Sequence, residues 1–381
     1  MLAEPKLTAP EVPGQAERLP EFEGLRAILS WWVFASHALL GAGLGIAELP
    51  GGIRILAHGD YAVDAFIILS GFVISKLLIE RAPSYRVFLG QRFFRLYPAY
   101  LVALFLAILL QPVSFGNAAH LETINPALVA QTRLNLANDA HYFPFHLLAH
   151  LTMLHGIVPD SLLPGSGVAL LPPAWSISLE WQFYLVAPLL VRWLAKSSGG
   201  RWLVVGLALA LGTLLLHDFL EGYYKMPTFL PQKAIYFWFG MVSFALWRQA
   251  GIARGEIGNV IVCGAVPLVI FASLSLTLGL WGAVLGSAMV SAGGGPAKWI
   301  GHGLRSAPLQ HLGRISYSTY LANACCICPV QWLINHAAPQ LTPVGILSWL
   351  VPSSALLTYL FSRVVHRFVE LPGIALGKRL F

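Results

Sequence analysis

Residues 24–45 read GLRAILSWWVFASHALLGAGLG. Apart from Arg26 at one end and His37 near the middle, the stretch has no ionisable side chain. Its 22 residues as a helix would rise about 33 Å, enough to cross the roughly 30 Å hydrocarbon core of a bilayer. Arg26 and His37 are eleven residues apart. At about 100° per residue they return to nearly one face, roughly 16 Å apart along the axis. A histidine at that depth is costly to insert, and such groups usually serve a pathway or a reaction.

The rest of the chain extends this reading. Of 381 residues, 57% are apolar and 11% charged, and the mean hydropathy is +0.69. A soluble chain of this length needs more charge to cover its surface. The net charge of +7 therefore does not point to nucleic acid; membrane lipids are the expected surroundings. Ten segments are long enough to span, at about 24–45, 60–80, 90–111, 174–194, 202–217, 231–248, 257–275, 276–295, 313–336 and 345–366. The expected fold is an all-α, polytopic integral membrane helix bundle.

Lys and Arg set the orientation. With the N-terminus in the cytoplasm, twenty of the 24 basic residues fall inside. Only Arg54, Arg133, Lys225 and Lys233 fall outside. That bias predicts an even number of spans and two cytoplasmic termini. The expected location is the inner membrane, multi-pass. Residues 1–20 read as a short cytoplasmic tail without a signal-peptide pattern, and 21–381 as one membrane domain. The chain ends about fifteen residues after the last span, so a further extracytoplasmic domain is not expected. Residues 112–172 form the longest outer loop. Its apolar stretch FPFHLLAHLTMLHGIV, about sixteen residues, suits an interfacial or re-entrant helix.

Metal binding is not expected. The four cysteines, Cys263, Cys325, Cys326 and Cys328, lack zinc spacing and read as small packing residues. His120, His141, His146, His150 and His155 fit no standard site, so a solvated or interfacial role is expected.

The helix directions sort the remaining polar groups. His37 lies near the midplane, with Asp64 and Glu180 in the outer half, on three helices that could converge. Ser176, Glu180 and Tyr184 share one face by i, i+4 spacing. Arg26, Arg92 and Arg95 gather at the inner end, and clustered guanidinium groups suit phosphate oxygens. Each group also has a plainer reading. Arg92 and Arg95 would anchor a helix at the positive side, Asp64 would cap or pair, and Glu180 would bond to aromatic neighbours.

Six motifs in order resemble the acyltransferase 3 family of integral-membrane acyltransferases. They are LPEFEGLRAILSWWVFASH, GDYAVDAFIILSGFVIS, RFFRLYPAYL, PPAWSISLEWQFYLVAPLL, LGRISYSTYLAN and RFVELPG, from about Leu19 to Leu380. Two departures stand out. Glu23 occupies a common Asp position, and Asn323 stands where the family usually has histidine. Asparagine hydrogen-bonds but exchanges no proton near neutral pH.

The resemblance implies transfer of an acyl group, usually acetyl, from cytoplasmic acetyl-CoA or another acyl-CoA to a hydroxyl of an extracytoplasmic glycan. It implies CoA phosphates on Arg92 and Arg95 with Arg26. It implies His37 as general base or transient acyl carrier, with Glu180 or Asp64 orienting it. Trp175, Ser178 and Tyr184 of the fourth motif are then expected to contact substrate. An oligomer is compatible with the sequence. Two rival readings are a proton-coupled transporter, since His, Asp and Glu also build relays, and a non-catalytic scaffold or sensor.

Overall fold

The computed structural model describes residues 19–195, 199–252, 276–289 and 296–381. The tail at 1–18, the seventh expected span at 257–275 and Cys263 lie outside the described residues. Every regular element among the described residues is helical, as expected. Among the described residues, four helices are long and apolar enough to cross a membrane: Gly59–Glu80, Tyr85–Leu109, Val204–Tyr223 and Pro343–Leu380.

Helix α1 is Pro20–Gly41, starting four residues before the apolar run. Pro20 at its first position is preset for a helix, and Glu21 and Glu23 in the first turn meet the positive end of its dipole. A short α2, Gly51–Ala57, precedes α3, Gly59–Glu80, and α4, Tyr85–Leu109. Ser84 caps α4 by accepting from the Val87 amide at 3.4 Å.

The segment 112–172, read from the sequence as the longest outer loop, differs most from expectation. It holds three helices rather than one: α5, Gln111–Ile124; α6, Pro126–His141; and α7, Phe143–Leu151. The side chain of Asn125 caps α6 through the Leu128 amide, with Pro126 following. The apolar stretch breaks after Leu151, and Met153 turns to φ 56°. His146, His150 and His155 are fully buried rather than solvated. His150 and His155 stack at 3.9 Å between ring centroids, and burial pushes the His155 imidazole down to about 3. Burial likewise raises the Asp139 carboxyl to about 6, although Asp139 accepts a hydrogen bond from the Leu170 amide. Among the described residues no group of three or more His, Cys, Asp or Glu is placed to hold a metal.

The later helices are α8, Trp175–Ala195; α9, Gly199–Tyr223; α10, Leu230–Ile252; α11, Leu276–Met289; α12, Pro296–Leu304; α13, Ala307–Arg314; α14, Ser316–Ala337; α15, Pro343–Val365; and α16, Leu371–Leu380. A π-turn over His366–Glu370 joins the last two without a break. The main core draws on α1, α3, α4, α8, α10, α11 and α14. A second cluster of Phe34, Ala38, Ala42, Ile327, Ile346 and Leu350 packs the far half of α1 against α14 and α15.

Two glycines fix the crossing of α3 with α10. A Cβ at Gly71 would lie 2.2 Å from the Phe237 carbonyl oxygen, and one at Gly240 would lie 1.9 Å from that of Ile68. Without lipid-excluding drive between helices, such close backbone approach is how they associate in a membrane. The glycine of the Ser-Gly-Phe motif is therefore a packing residue.

Candidate active site

Arg26 of α1, Arg92 and Arg95 of α4, and Glu180 and Tyr184 of α8 converge on one cavity. Ser70 of α3, Ser176 of α8, and Tyr317 and Tyr320 of α14 also line it. The cavity, about 100 Å³, adjoins a larger one of about 340 Å³ that shares Arg26, Arg92, Arg95, Ser316 and Tyr317 with it. Six basic side chains (Arg26, Lys76, Arg81, Arg92, Arg95 and Arg314) and three carboxylates (Glu23, Glu180 and Glu370) line the two cavities. Lys76 is paired with Glu80 at 2.7 Å, and the remaining excess of two positive charges suits a polyanion.

The carboxylates hold the frame. Glu180 accepts hydrogen bonds from Ser70 Oγ at 3.2 Å and from the Tyr184 hydroxyl. Glu370, turned inward by the π-turn, accepts from Ser318 Oγ at 2.9 Å and meets His366 Nδ1 at 2.9 Å. Arg95 feels the charges of Glu370, Glu180 and Glu23, and Arg26 lies 3.9 Å from Glu23. Arg92 Nε is buried and has no partner. An unpaired buried guanidinium donor costs about 1–3 kcal/mol or more, and an acceptor oxygen beside it would offset that cost.

His37 lies elsewhere. It lines a separate cavity of about 310 Å³ among α1, α5, α6 and α14. Its Nδ1 is 2.5 Å from Asn323 Oδ1. The Asn323 amide nitrogen donates to the Tyr320 carbonyl at 2.7 Å and to that of Thr319 at 3.3 Å. These bonds orient the amide so that only its oxygen faces His37. Oxygen accepts, so Nδ1 carries the proton and Nε2 keeps the lone pair. Asn323, standing in the family's histidine position, fixes the imidazole tautomer. It sits three residues from Tyr320, which lines the arginine cavity. The hydroxyl of Tyr320 meets Ser176 Oγ at 2.7 Å and donates to the Pro173 carbonyl at 2.9 Å.

Other sequence candidates fall outside both spaces. Asp64 and Lys233 form an ion pair at 2.7 Å, with side chains 6% and 14% exposed. Asp64 thus ties α3 to α10 and does not join His37 and Glu180. Ser178 accepts from the Gly156 amide at 3.0 Å, while the neighbouring Gln182 donates to the Thr228 carbonyl at 2.9 Å. Ser178 therefore pins the segment after α7 onto α8. Trp175 is buried in the core at the start of α8. Of the three expected substrate contacts, only Tyr184 lines the arginine cavity.

Sequence reasoning assigned no role to Ser70, Tyr317, Tyr320, Lys233 or Glu370. Four of them lay in plain view within the quoted motifs. Lys233 gave no signal beyond being a cation on an apolar segment.

A profile of the acyltransferase-domain family matches residues 19–363. The chain belongs to the acyltransferase 3 family. This acyltransferase is 26% identical over 351 residues to acyltransferase MdmB of Streptomyces mycarofaciens, covering 82% of this chain and 80% of that protein. It is 24% identical over 381 residues to peptidoglycan O-acetyltransferase OatA of Listeria monocytogenes, covering 93% of this chain. The match spans 55% of the Listeria protein, about half its length. No solved structure matches the acyltransferase.

Proposed function

We propose that this membrane acyltransferase moves an acyl group, acetyl in the simplest case, from cytoplasmic acyl-CoA to a hydroxyl of an extracytoplasmic glycan. Exopolysaccharide, lipopolysaccharide or peptidoglycan sugars are the proposed acceptors; the name of the Listeria relative supports acetyl and a cell-wall sugar. The proposal includes ten spans, both termini in the cytoplasm and an inner-membrane location. Lys233 and Asp64, both assigned by sequence to the outer side, pair with each other. Arg26, Lys76, Arg81, Arg92, Arg95 and Arg314, all assigned by sequence to the inner side, line one cavity.

The observation that carries the reading is the cationic cavity with the unpartnered Arg92 Nε. In this reading CoA phosphates lie along Arg26, Arg92 and Arg95, and the thioester reaches past Tyr320 to His37. The acceptor oxygen attacks the thioester carbonyl carbon while its proton passes to His37 Nε2. The carbon–sulfur bond then breaks, and the proton leaves with the CoA thiolate as the thiol. The products are an ester and free CoA. Glu180 holds Tyr184 and Ser70 at the donor channel, and Asp64 is left out of the chemical step.

Titration calorimetry in lipid nanodiscs with CoA and with 3′-dephospho-CoA tests the donor site. A charge-assisted hydrogen bond is worth about 1.5–3 kcal/mol, so Arg92→Ala with Arg95→Ala is expected to weaken CoA tenfold or more. Dephospho-CoA should lose less. Unchanged CoA affinity in a folded variant would reduce the arginines to topology anchors and overturn the reading.

A further inference from the structure

The cavity that holds His37 differs in chemistry from the arginine cavity. Its polar lining is His37, Ser114, Asn117, Thr132, Cys328 and Gln331; the remaining lining residues are aliphatic or glycine. No Lys, Arg, Asp or Glu lines it. At about 310 Å³ it falls at the lower end of small-molecule sites, which run from roughly 300 to 1,000 Å³.

Three of the polar residues, Ser114, Asn117 and Cys328, are already engaged with one another. Asn117 Nδ2 donates to the Cys328 carbonyl at 2.8 Å, and Ser114 Oγ lies 3.3 Å from Cys328 Sγ. Gln331 is different. It is only 5% exposed, and its Nε2 has no partner. Its Oε1 packs against the end of α1, where a Cβ at Gly41 would lie 3.2 Å from it. The amide therefore leaves its N–H₂ end for the cavity. A buried donor without an acceptor is unfavourable, and a ligand oxygen would satisfy it. Thr132 is exposed at the α6 side of the cavity, which places the mouth there. The adjacent Arg133 is paired with Glu122, so this edge presents no free cation to attract an anion.

We infer that this second cavity binds the acceptor, and that the part entering it is an uncharged, hydroxyl-bearing group such as a neutral sugar ring. Gln331 Nε2 donates to a ring or hydroxyl oxygen, and the reacting hydroxyl lies beside His37. A phosphate or carboxylate would lose its water here and find no countercharge. The inference rests on the acyltransferase reading for its reaction, but its binding claim is measured separately. The division of labour is physical: the cationic space takes the polyanionic donor, the neutral space takes the polyol, and His37 is on the polyol side.

The test uses the full chain in lipid nanodiscs and two probes of matched size, p-nitrophenyl β-D-glucopyranoside and p-nitrophenyl β-D-glucuronide. Saturation-transfer NMR and calorimetry read their binding. The glucoside is expected to saturate, with the glucuronide at least tenfold weaker. Thr132→Trp, an exposed position, should close the mouth and weaken the glucoside tenfold or more; Gln331→Leu should weaken it about fivefold. Neither change should move CoA affinity. The absence of saturable glucoside binding, equal binding of both probes, or glucoside affinity indifferent to both substitutions would overturn the inference. Arg92→Ala with Arg95→Ala provides the separating arm. Intact CoA binding there with a normal glucoside site would remove the arginine donor site and leave the neutral cavity standing.

Discussion

Replacing Asn323 with leucine removes an interaction on which the proposed chemistry depends, together with the amide's bonds to the Tyr320 and Thr319 carbonyls. Leucine has asparagine's branched shape and number of side-chain heavy atoms, so the fully buried site is refilled without a void, at some cost in crowding because its methyl groups are larger. What disappears is the oxygen 2.5 Å from His37 Nδ1. A buried N–H left without an acceptor costs about 1–3 kcal/mol, and the melting temperature should fall accordingly. The functional effect comes from the tautomer. A hydrogen bond contributes about 0.5–1.5 kcal/mol net, and each 1.4 kcal/mol is tenfold in a ratio. The fraction of imidazole with its lone pair on Nε2 should therefore drop by up to about tenfold relative to the other form. Transfer of labelled acetyl from acetyl-CoA into envelope glycans should slow by a similar factor, with CoA affinity unchanged. Ring ¹⁵N shifts of His37 separate positioning from mere packing. Wild type should show protonated Nδ1 and bare Nε2, and the variant a mixture. If the Asn323→Leu protein keeps a single tautomer and a normal rate, the assignment of Asn323 as the positioning residue is refuted.

Lys233→Met leaves the Asp64 carboxylate buried and unpaired, which should cost about 3–5 kcal/mol, seen as a large drop in melting temperature. Adding Asp64→Asn should recover most of it and retain acyl transfer within a few-fold; a stable but inactive double variant would return Asp64 to the chemistry. Asp139 gives a pH-dependent outcome. Its carboxyl is raised from the ordinary 3.8 to about 6, so between these values the folded state binds more protons than the unfolded state. Stability from this group is therefore fully present below about pH 4 and falls as pH rises through 6. The two-unit shift corresponds to about 3 kcal/mol at most. Melting curves of Asp139→Asn and wild type should diverge in the variant's favour between pH 4 and 6. The histidines of the same layer are common to both proteins and cancel in the difference; parallel curves would contradict the burial argument.

Several elements could be read directly. The apolar runs that became α3, α4, α8 and α10 were found within a few residues, because an uninterrupted hydrophobic stretch of that length has few alternatives. The arginine cluster was also legible, since Arg92 and Arg95 are i, i+3 neighbours and Arg26 sits at the same end of its helix. The helices α5 and α6 were not legible. Their hydrophobic pattern is weak, and their starts depend on Asn125 and on packing against α14. The continuation of α15 through a π-turn escaped for a similar reason. Its inward Glu370 makes sense only beside Ser318 and His366.

The sequence by itself determined that the chain is a helical membrane protein, and its motifs in order determined the family. Both follow from local signals: the cost of charge in hydrocarbon and short residue patterns along single helices. Tertiary structure alone decided which polar groups meet. Arg26 and His37 share a face of α1, yet one lines a cationic space and the other a neutral one, because α3, α4 and α8 pack around the first while α5, α6 and α14 pack around the second. Depth along a helix can be read from residue number; the neighbours around it depend on helix packing, which residue number does not carry.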